Sequence, residues 1–213
     1  REKRRKDKID TIVVDTDFHY SHLWTINIES KEKKRLTEGN FSASNPQWSP
    51  NGASIAFVMS KSGIQESAFT DISEDRNTDI YVVNVEGGPP RRLTDSSARE
   101  IDPEWSRDGG WIFYASSASG RSEIWKMRGD GSGRLQLTVD GGFEPRSSPD
   151  HRSVYFVDAG RATGLGISAT LKRMSIEGGR AEVVHSGLFS GAWDVTDSGI
   201  TFIMADEVRE VSS

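Results

Sequence analysis

The residues best suited to metal chemistry lie in the stretch DISEDRNTD, residues 71–79. Side-chain oxygens occur there at every second position, as they do in the calcium-binding loop of an EF-hand. That loop requires glycine at its sixth position and a bidentate glutamate at its twelfth, whereas Arg76 and Val82 stand at these positions. The four histidines show no metal-ligand spacing, and the chain has no cysteine. The sequence therefore predicts no metal site and no cofactor.

A serine nucleophile of the hydrolase kind usually stands in the motif G-x-S-x-G, on a turn between a strand and a helix. The sequence does not contain this motif. The segment GLFSG, residues 187–191, has a different spacing, and Ser190 precedes a predicted strand. The segment GDGSG, residues 129–133, resembles a phosphate-binding loop in its glycine spacing, but it joins two predicted strands and opens no helix. No catalytic residue is predicted in these 213 residues.

A third candidate site is the long connection formed by residues 60–79. The equivalent connection in the next repeat is much shorter and reads SSASGRSE. Long connections in compact repeats are commonly functional. We therefore take its charged residues Asp71, Glu74, Asp75 and Arg76 as candidates for gating a substrate or docking a partner. A tolerated surface loop is the alternative interpretation.

Composition restricts the classes of partner. The net charge is −5 and 28% of residues are charged, which argues against nucleic-acid binding and against insertion in a membrane. The basic run in residues 1–10 is interpreted as a linker, and residues 205–213 as a tail. No signal peptide is recognisable, and both a cytoplasmic and a periplasmic location are compatible with the sequence.

The sequence contains an internal repeat, and the fold that this repeat builds must position any functional residue. The phrase NPQWSPNGASIAFVMS at 45–60 recurs as DPEWSRDGGWIFYASS at 102–117 and as EPRSSPDHRSVYFVDA at 144–159. Each copy reads as a short strand, a turn rich in Pro, Asn, Asp and Gly, and an apolar strand. The tryptophans recur at one position of the first strand, and we expect them to belong to the core: Trp48, Trp105 and Trp193.

A second phrase, DIYVVNVEGGPPRRLT at 79–94, follows the first one and is also repeated. Its copies hold a constant spacing of 13 residues between two apolar positions, Ile80 and Leu93 in this copy. Constant spacing with changing composition indicates a hairpin of fixed register. Each repeat is therefore predicted to contain four strands. They are named a to d below: a contains the Trp position, b is the apolar strand, and c and d form the hairpin.

Strand b is apolar on consecutive residues, so both of its faces must be covered. Four-stranded antiparallel sheets that cover one another in this way form a β-propeller. The sequence predicts an all-β, incomplete propeller of about four and a half blades over residues 11–204. Three full blades are flanked by a partial blade at each end: 11–37, 45–97, 102–141, 144–187 and 191–204. Such an open arc leaves apolar faces bare, so we expect the isolated chain to self-associate.

The phrases at 46–57 and 79–94 resemble the propeller repeats of TolB and its relatives. Residues 17–58 and 74–83 are similar to the N-terminal propeller of bacterial acylaminoacyl-peptidase-like enzymes, which belong to the prolyl oligopeptidase family. In that family the propeller precedes an α/β-hydrolase domain with a Ser-Asp-His triad and restricts which peptides reach it. The later phrase LKRMSIEGG, residues 171–179, resembles TolB-type sensor propellers more generally.

Two functions follow as expectations from these resemblances. The first is the non-catalytic propeller of a prolyl-oligopeptidase-family serine peptidase, whose peptide substrates are cleaved in a hydrolase domain absent from this sequence. The second is a TolB-like interaction or sensor propeller that binds a protein partner and has no attached hydrolase. The identity of the substrate or partner is not encoded in any motif of the chain.

Overall fold

The computed structural model describes residues 20–60, 77–158, 162–163 and 166–204, and every regular element in these ranges is a β-strand. In chain order the strands are β1 (Trp24–Ile26), β2 (Lys33–Arg35), β3 (Ser42–Trp48), β4 (Ser54–Ser60), β5 (Thr78–Asn84), β6 (Arg91–Arg92), β7 (Glu100–Trp105), β8 (Ile112–Ser116), β9 (Glu123–Met127), β10 (Leu135–Gln136), β11 (Phe143–Ser147), β12 (Ser153–Asp158), β13 (Ala162–Thr163), β14 (Gly166–Ser175), β15 (Glu182–Thr196) and β16 (Gly199–Met204).

Strands that are consecutive in the chain pair side by side. β3-β4-β5-β6 and β7-β8-β9-β10 each form a four-stranded antiparallel sheet, and β1 pairs with β2. A further sheet has the order β11-β12-β14-β15-β16, with β13 paired to β14. The first strands of the three larger sheets contact each other in series, β3 with β7 and β7 with β11, and β11 also contacts β15 of its own sheet. The predicted all-β fold is confirmed: the sheets form an incomplete β-propeller.

The middle strands are buried on both faces, as their apolar runs predict. All five residues of β8 are buried. Ile112 and Tyr114 pack toward the first four-stranded sheet, whereas Phe113 and Ala115 pack toward the sheet that follows. The side chains of Phe113, Phe57 and Phe156 are among the largest that are fully buried. Adjacent sheets therefore share their cores.

A serine and an Asx residue fix the turn between strands a and b. In the second sheet Ser106 Oγ donates to Asp108 Oδ1 at 2.6 Å, and Asp108 Oδ1 also accepts from Gly110 N at 3.0 Å. The hydrogen bond from Ser106 is the main reason that the pKa of Asp108 lies below its ordinary value. The same contacts occur in the other two full repeats, at Ser49 with Asn51 and at Ser148 with Asp150. Such Asx turns explain why these residue types recur.

One strand crosses a boundary that the repeat placed between residues 187 and 191. β15 pairs with β14 up to Phe189; it pairs with β16 at Leu188 and, after a register shift, from Trp193 to Thr196. The predicted outer strand of one unit and inner strand of the next are separated there by three residues, 188–190. The strand therefore continues through the predicted boundary and takes part in both hairpins.

The repeated tryptophans do not share one environment. Trp193 is 6% exposed and Trp105 is half-buried, but Trp48 is 52% exposed, so the prediction that Trp48 belongs to the core is wrong. Trp105 packs against apolar residues of the first sheet, including Ile80. Next to Trp48 the described part of the preceding unit consists only of β1 and β2. The burial of this position therefore depends on the neighbouring sheet.

Candidate functional site

The residues predicted to gate a substrate or dock a partner, Asp71, Glu74, Asp75 and Arg76, lie outside the described residues. The same applies to the linker at 1–10, to the tail at 205–213, and to the predicted strand that precedes residue 20. The candidate site is therefore built from four strands that contact each other in series, β3 with β7, β7 with β11 and β11 with β15; they are called the inner strands here.

Each of the first three inner strands contains a β-bulge at the same place. The register shifts between Ser44 and Gln47 and at the equivalent points of β7 and β11. The bulged residues Asn45, Asp102 and Glu144 have φ values of 49°, 53° and 53°. Positive φ is uncommon for residues other than glycine, and the proline that follows each of them disfavours helical backbone angles further. The same positive-φ conformation recurs in all three strands, so the surrounding structure holds it in place.

The bulged residues link successive inner strands by hydrogen bonds. Asn45 Nδ2 donates to Asp102 Oδ1 at 3.2 Å, and the backbone N–H of Glu144 donates to the carboxylate of Asp102. Glu144 in turn accepts from three groups of β15 at its two carboxylate oxygens. The donors are Ser190 Oγ, Gly191 N at 2.9 Å and Trp193 Nε1 at 2.7 Å. These contacts form a polar ladder along the inner strands, defined here as Asn45, Asp102, Glu144 and Ser190.

Charged side chains accompany the ladder on the same strands. Burial raises the pKa of Glu104 to about 7; the nearby charge of Arg146 opposes the shift and that of Asp194 adds to it. Arg146 Nε lies 3.9 Å from Asp194 Oδ1, and its guanidinium lies over the ring of Trp193. Burial also raises the pKa of Asp102, and the negative charge of Glu144 contributes to that shift. The inner surface is thus polar, with alternating charges that cross from sheet to sheet.

This arrangement suits binding better than covalent catalysis. Ser190 donates to a carboxylate, and Glu144 already accepts three hydrogen bonds. A serine nucleophile instead requires an adjacent general base that is free to take its proton. Within the described ranges, no three His, Cys, Asp or Glu side chains are grouped so that they could hold a metal ion. The inner strands present a row of fixed hydrogen-bonding and charged groups.

Sequence reasoning did not single out the ladder. Its signal is present in each full repeat as Asn, Asp or Glu before proline, three residues ahead of the Trp position. A polar residue before proline is ordinary in a turn, so the pattern alone does not indicate an inner strand. Separately, a search of the described residues found no helix with the length and apolarity needed to cross a membrane.

Comparisons with known proteins agree with the geometry. A profile of the TolB beta propeller domain matches residues 14–210. An uncharacterized protein from Agrobacterium fabrum is 31% identical over 149 residues, which cover 68% of this chain and 46% of that protein. The uncharacterized peptidase YuxL from Bacillus subtilis is 29% identical over 101 residues, which cover 47% of this chain and 14% of the peptidase.

Among solved structures, a putative TolB from Agrobacterium tumefaciens is similar to this chain, with a TM-score of 0.57 and 27% identity. The similar region covers 73% of this chain and 53% of that structure. The chain thus spans about half of the Agrobacterium relatives that it matches, and a smaller share of the peptidase. The relatives include both TolB-like propellers and a peptidase, which confirms both resemblances read from the repeats.

Proposed function

The chain belongs to the TolB beta propeller domain family, and we propose that it is a non-catalytic propeller whose inner strands bind a peptide or protein segment. The observation that carries the proposal is the polar ladder with its neighbouring charges, Glu104, Arg146 and Asp194. Peptides carry hydrogen-bonding groups along the whole backbone and charges at their ends. A row of fixed donors, acceptors and alternating charges is complementary to such a ligand.

The first candidate is the propeller of a prolyl-oligopeptidase-family serine peptidase, which would restrict the access of peptides to a hydrolase domain outside these 213 residues. The similarity to YuxL, whose name describes it as a peptidase, supports this candidate. The described residues supply a rigid arc and a polar inner surface. The chemistry of peptide cleavage would belong entirely to the other domain.

The second candidate is a TolB-like interaction or sensor propeller that binds a protein and has no hydrolase. The putative TolB from Agrobacterium tumefaciens supports it: the similar region covers 73% of this chain, against 47% for the peptidase. Both candidates use the same inner surface. In the first candidate the ligand is a substrate that continues to the hydrolase domain. In the second candidate it is a protein partner that stays bound.

A serine-directed reagent separates the two candidates. The full-length natural protein and the 213-residue chain are treated with a fluorophosphonate and assayed with acyl-peptides. The peptidase candidate predicts labelling and cleavage by the full-length protein and neither by the 213-residue chain, because the chain contains no G-x-S-x-G. Full-length protein that is neither labelled nor active would exclude the peptidase and leave the interaction propeller. Labelling of the 213-residue chain above background would contradict both candidates.

The same experiment can test the inner surface. Arg146→Gln removes a charge from the inner strands, and Arg180→Gln removes one from an exposed turn. Under the peptidase candidate only the first is expected to change KM for long peptides, while kcat for short substrates stays the same. Under the interaction candidate only the first is expected to weaken capture of the partner. Equal effects of the two variants would argue against the inner strands as the binding surface.

Self-association of the isolated chain is a further expectation. Apolar side chains are exposed at both ends of the arc, with Trp24 58% exposed on β1 and Ile203 60% exposed on β16. Exposed apolar surfaces of this kind favour association. Light scattering of the purified 213-residue chain is expected to detect dimers or larger species, and Ile203→Lys is expected to shift the distribution toward monomers. A monodisperse monomer before any substitution would contradict the expectation.

A further inference from the structure

Glu100 is a buried acid that the repeat does not require. It is the first residue of β7 and only 3% exposed. The same position, five residues before the Trp position, is Ala43 in the preceding repeat and Gly142 in the following one. Strand c already contributes one buried acid to each junction between sheets, Asp79 and Glu123, each hydrogen-bonded to a threonine. The junction between the two four-stranded sheets therefore contains two buried carboxyl groups where the next junction contains one.

The carboxyl group of Glu100 lacks a donor for one of its oxygens. Oε1 accepts from Ser96 Oγ at 2.6 Å and from Ser116 Oγ at 3.3 Å. Oε2 is buried without a hydrogen-bond partner, and so is Asn77 Oδ1, whose amide nitrogen donates to the carbonyl of Ser96 at 3.2 Å. A buried carboxylate oxygen without a donor is costly. A proton on Oε2 removes the charge from this buried group.

The surrounding charges do not neutralise an ionised Glu100. Arg92 Nη2 already lies 2.6 Å from Asp79 Oδ2, and Arg134 Nη1 lies 2.8 Å from Asp95 Oδ1. Burial raises the pKa of Glu100 above its ordinary value. Hydrogen bonds from Ser96 and Ser116 oppose the shift, and the negative charge of Asp79 adds to it. The titratable and charged groups around this junction are Asp79 on β5, Arg92 on β6, Asp95 after β6, Tyr114 on β8 and Arg134 before β10.

We propose that a protonated Glu100 carboxyl group holds the junction between the two four-stranded sheets together, and that loss of this proton loosens the junction. Glu100 lies where both sheets meet: Thr78 Oγ1 on β5 donates to the Glu100 carbonyl at 2.8 Å, and Ser116 Oγ on β8 donates to its carboxyl group. Ionisation would place a second negative charge beside Asp79 in this buried cluster. The junction is then a pH-sensitive contact within the propeller.

The sign of the pH dependence follows from linkage. An acid whose pKa is raised on folding binds its proton more tightly in the folded state than in the unfolded state. Stability is therefore highest below the unfolded pKa, which is about 4.3 for glutamate, and falls as the pH rises through the folded pKa. Glu104, whose pKa is about 7, contributes in the same direction. A test of Glu100 must therefore compare proteins that all retain Glu104.

Urea denaturation of the wild-type chain and of Glu100→Gln at pH 5 and pH 9 tests the proposal. Glutamine supplies an amide donor where the protonated acid has its O–H, and it cannot ionise. The midpoint of Glu100→Gln relative to wild type is expected to rise from pH 5 to pH 9. The matched control is Glu123→Gln, because both oxygens of Glu123 already have donors in Arg121, Thr138 and Gly141. Glu123→Gln is expected to lower the urea midpoint at both pH values.

A spectroscopic measurement gives a readout that does not depend on stability. The infrared difference spectrum between folded wild type and folded Glu100→Gln in D2O at pH 5 is expected to contain the carbonyl stretch of a protonated carboxyl group, because Glu104 and Asp102 are present in both proteins and cancel. Absence of that band from the difference spectrum would overturn the proposal. So would a midpoint that Na⁺, K⁺ or Ca²⁺ raises at constant pH in wild type but not in the variant, since that result identifies a bound cation.

Discussion

Replacing Phe113 with alanine is expected to lower the free energy of unfolding by about 3–5 kcal/mol. Phe113 lies in the middle of β8, is fully buried, and packs with Ile124, Val154 and Phe156 in the core shared by two sheets. Truncation removes apolar contacts with both sheets at once, and rigid strands on either side limit how far the cavity can close. Urea denaturation followed by tryptophan fluorescence measures the change.

The matched control for Phe113→Ala is Trp48→Ala. Tryptophan is the larger side chain, but Trp48 is more than half exposed. Its removal is expected to change stability by about 0.5 kcal/mol or less, as is usual for surface positions. If Trp48→Ala costs as much as Phe113→Ala, then Trp48 is covered by another part of the folded chain and the expectation is wrong.

Removal of the Glu144 carboxylate is expected to have the second largest effect. Glu144→Ala leaves Ser190 Oγ, Gly191 N and Trp193 Nε1 without their acceptor, and the indole belongs to a residue that is itself buried. A donor left without a partner in a buried site costs about 1–3 kcal/mol. The expected loss of stability is about 2 kcal/mol, since the Gly191 backbone can be hydrated. Because the contact joins β11 to β15, the loss should be accompanied by faster hydrogen exchange in β15.

Glu144→Gln and Asn45→Ala calibrate this result. Glutamine keeps the size of the side chain but replaces one acceptor oxygen with an NH2 group, so part of the loss should remain. Asn45 makes one exposed hydrogen bond of 3.2 Å to the ladder, and its removal should cost much less. If Glu144→Gln is as stable as wild type, then one acceptor oxygen is sufficient and the three-donor arrangement does not stabilise the contact.

Local sequence signals predicted the strands and their pairing well. The spacing of seven residues between Trp48 and Ile55 and between Trp105 and Ile112 corresponds to directly paired residues of strands a and b. Leu93 N donates to Ile80 O, which is the contact that the spacing of 13 residues predicts. These hairpins are local, since their turn residues and their apolar partners lie within a few residues of each other. A repeated spacing is therefore enough to establish their register.

The candidate site was much less accessible to sequence reasoning. The sequence directed attention to a charged connection at 60–79, while the described structure draws attention to the ladder. Asn45, Asp102 and Glu144 are separated by 57 and 42 positions, and no local pattern shows that they approach one another. Their contact results from the stacking of whole sheets around an axis, so it appears only when the fold is assembled.

The sequence by itself determined that the chain is an all-β propeller, which strand pairs with which, and where the Asx turns fall, because hairpins and turns depend on neighbouring residues. Only the tertiary structure decided that Trp48 is exposed while Trp105 is half-buried, that β15 runs through a predicted boundary, and that Glu100 has an oxygen without a donor. Each of these depends on contacts with another sheet or another repeat. Such contacts are not contained in the order of residues within one repeat.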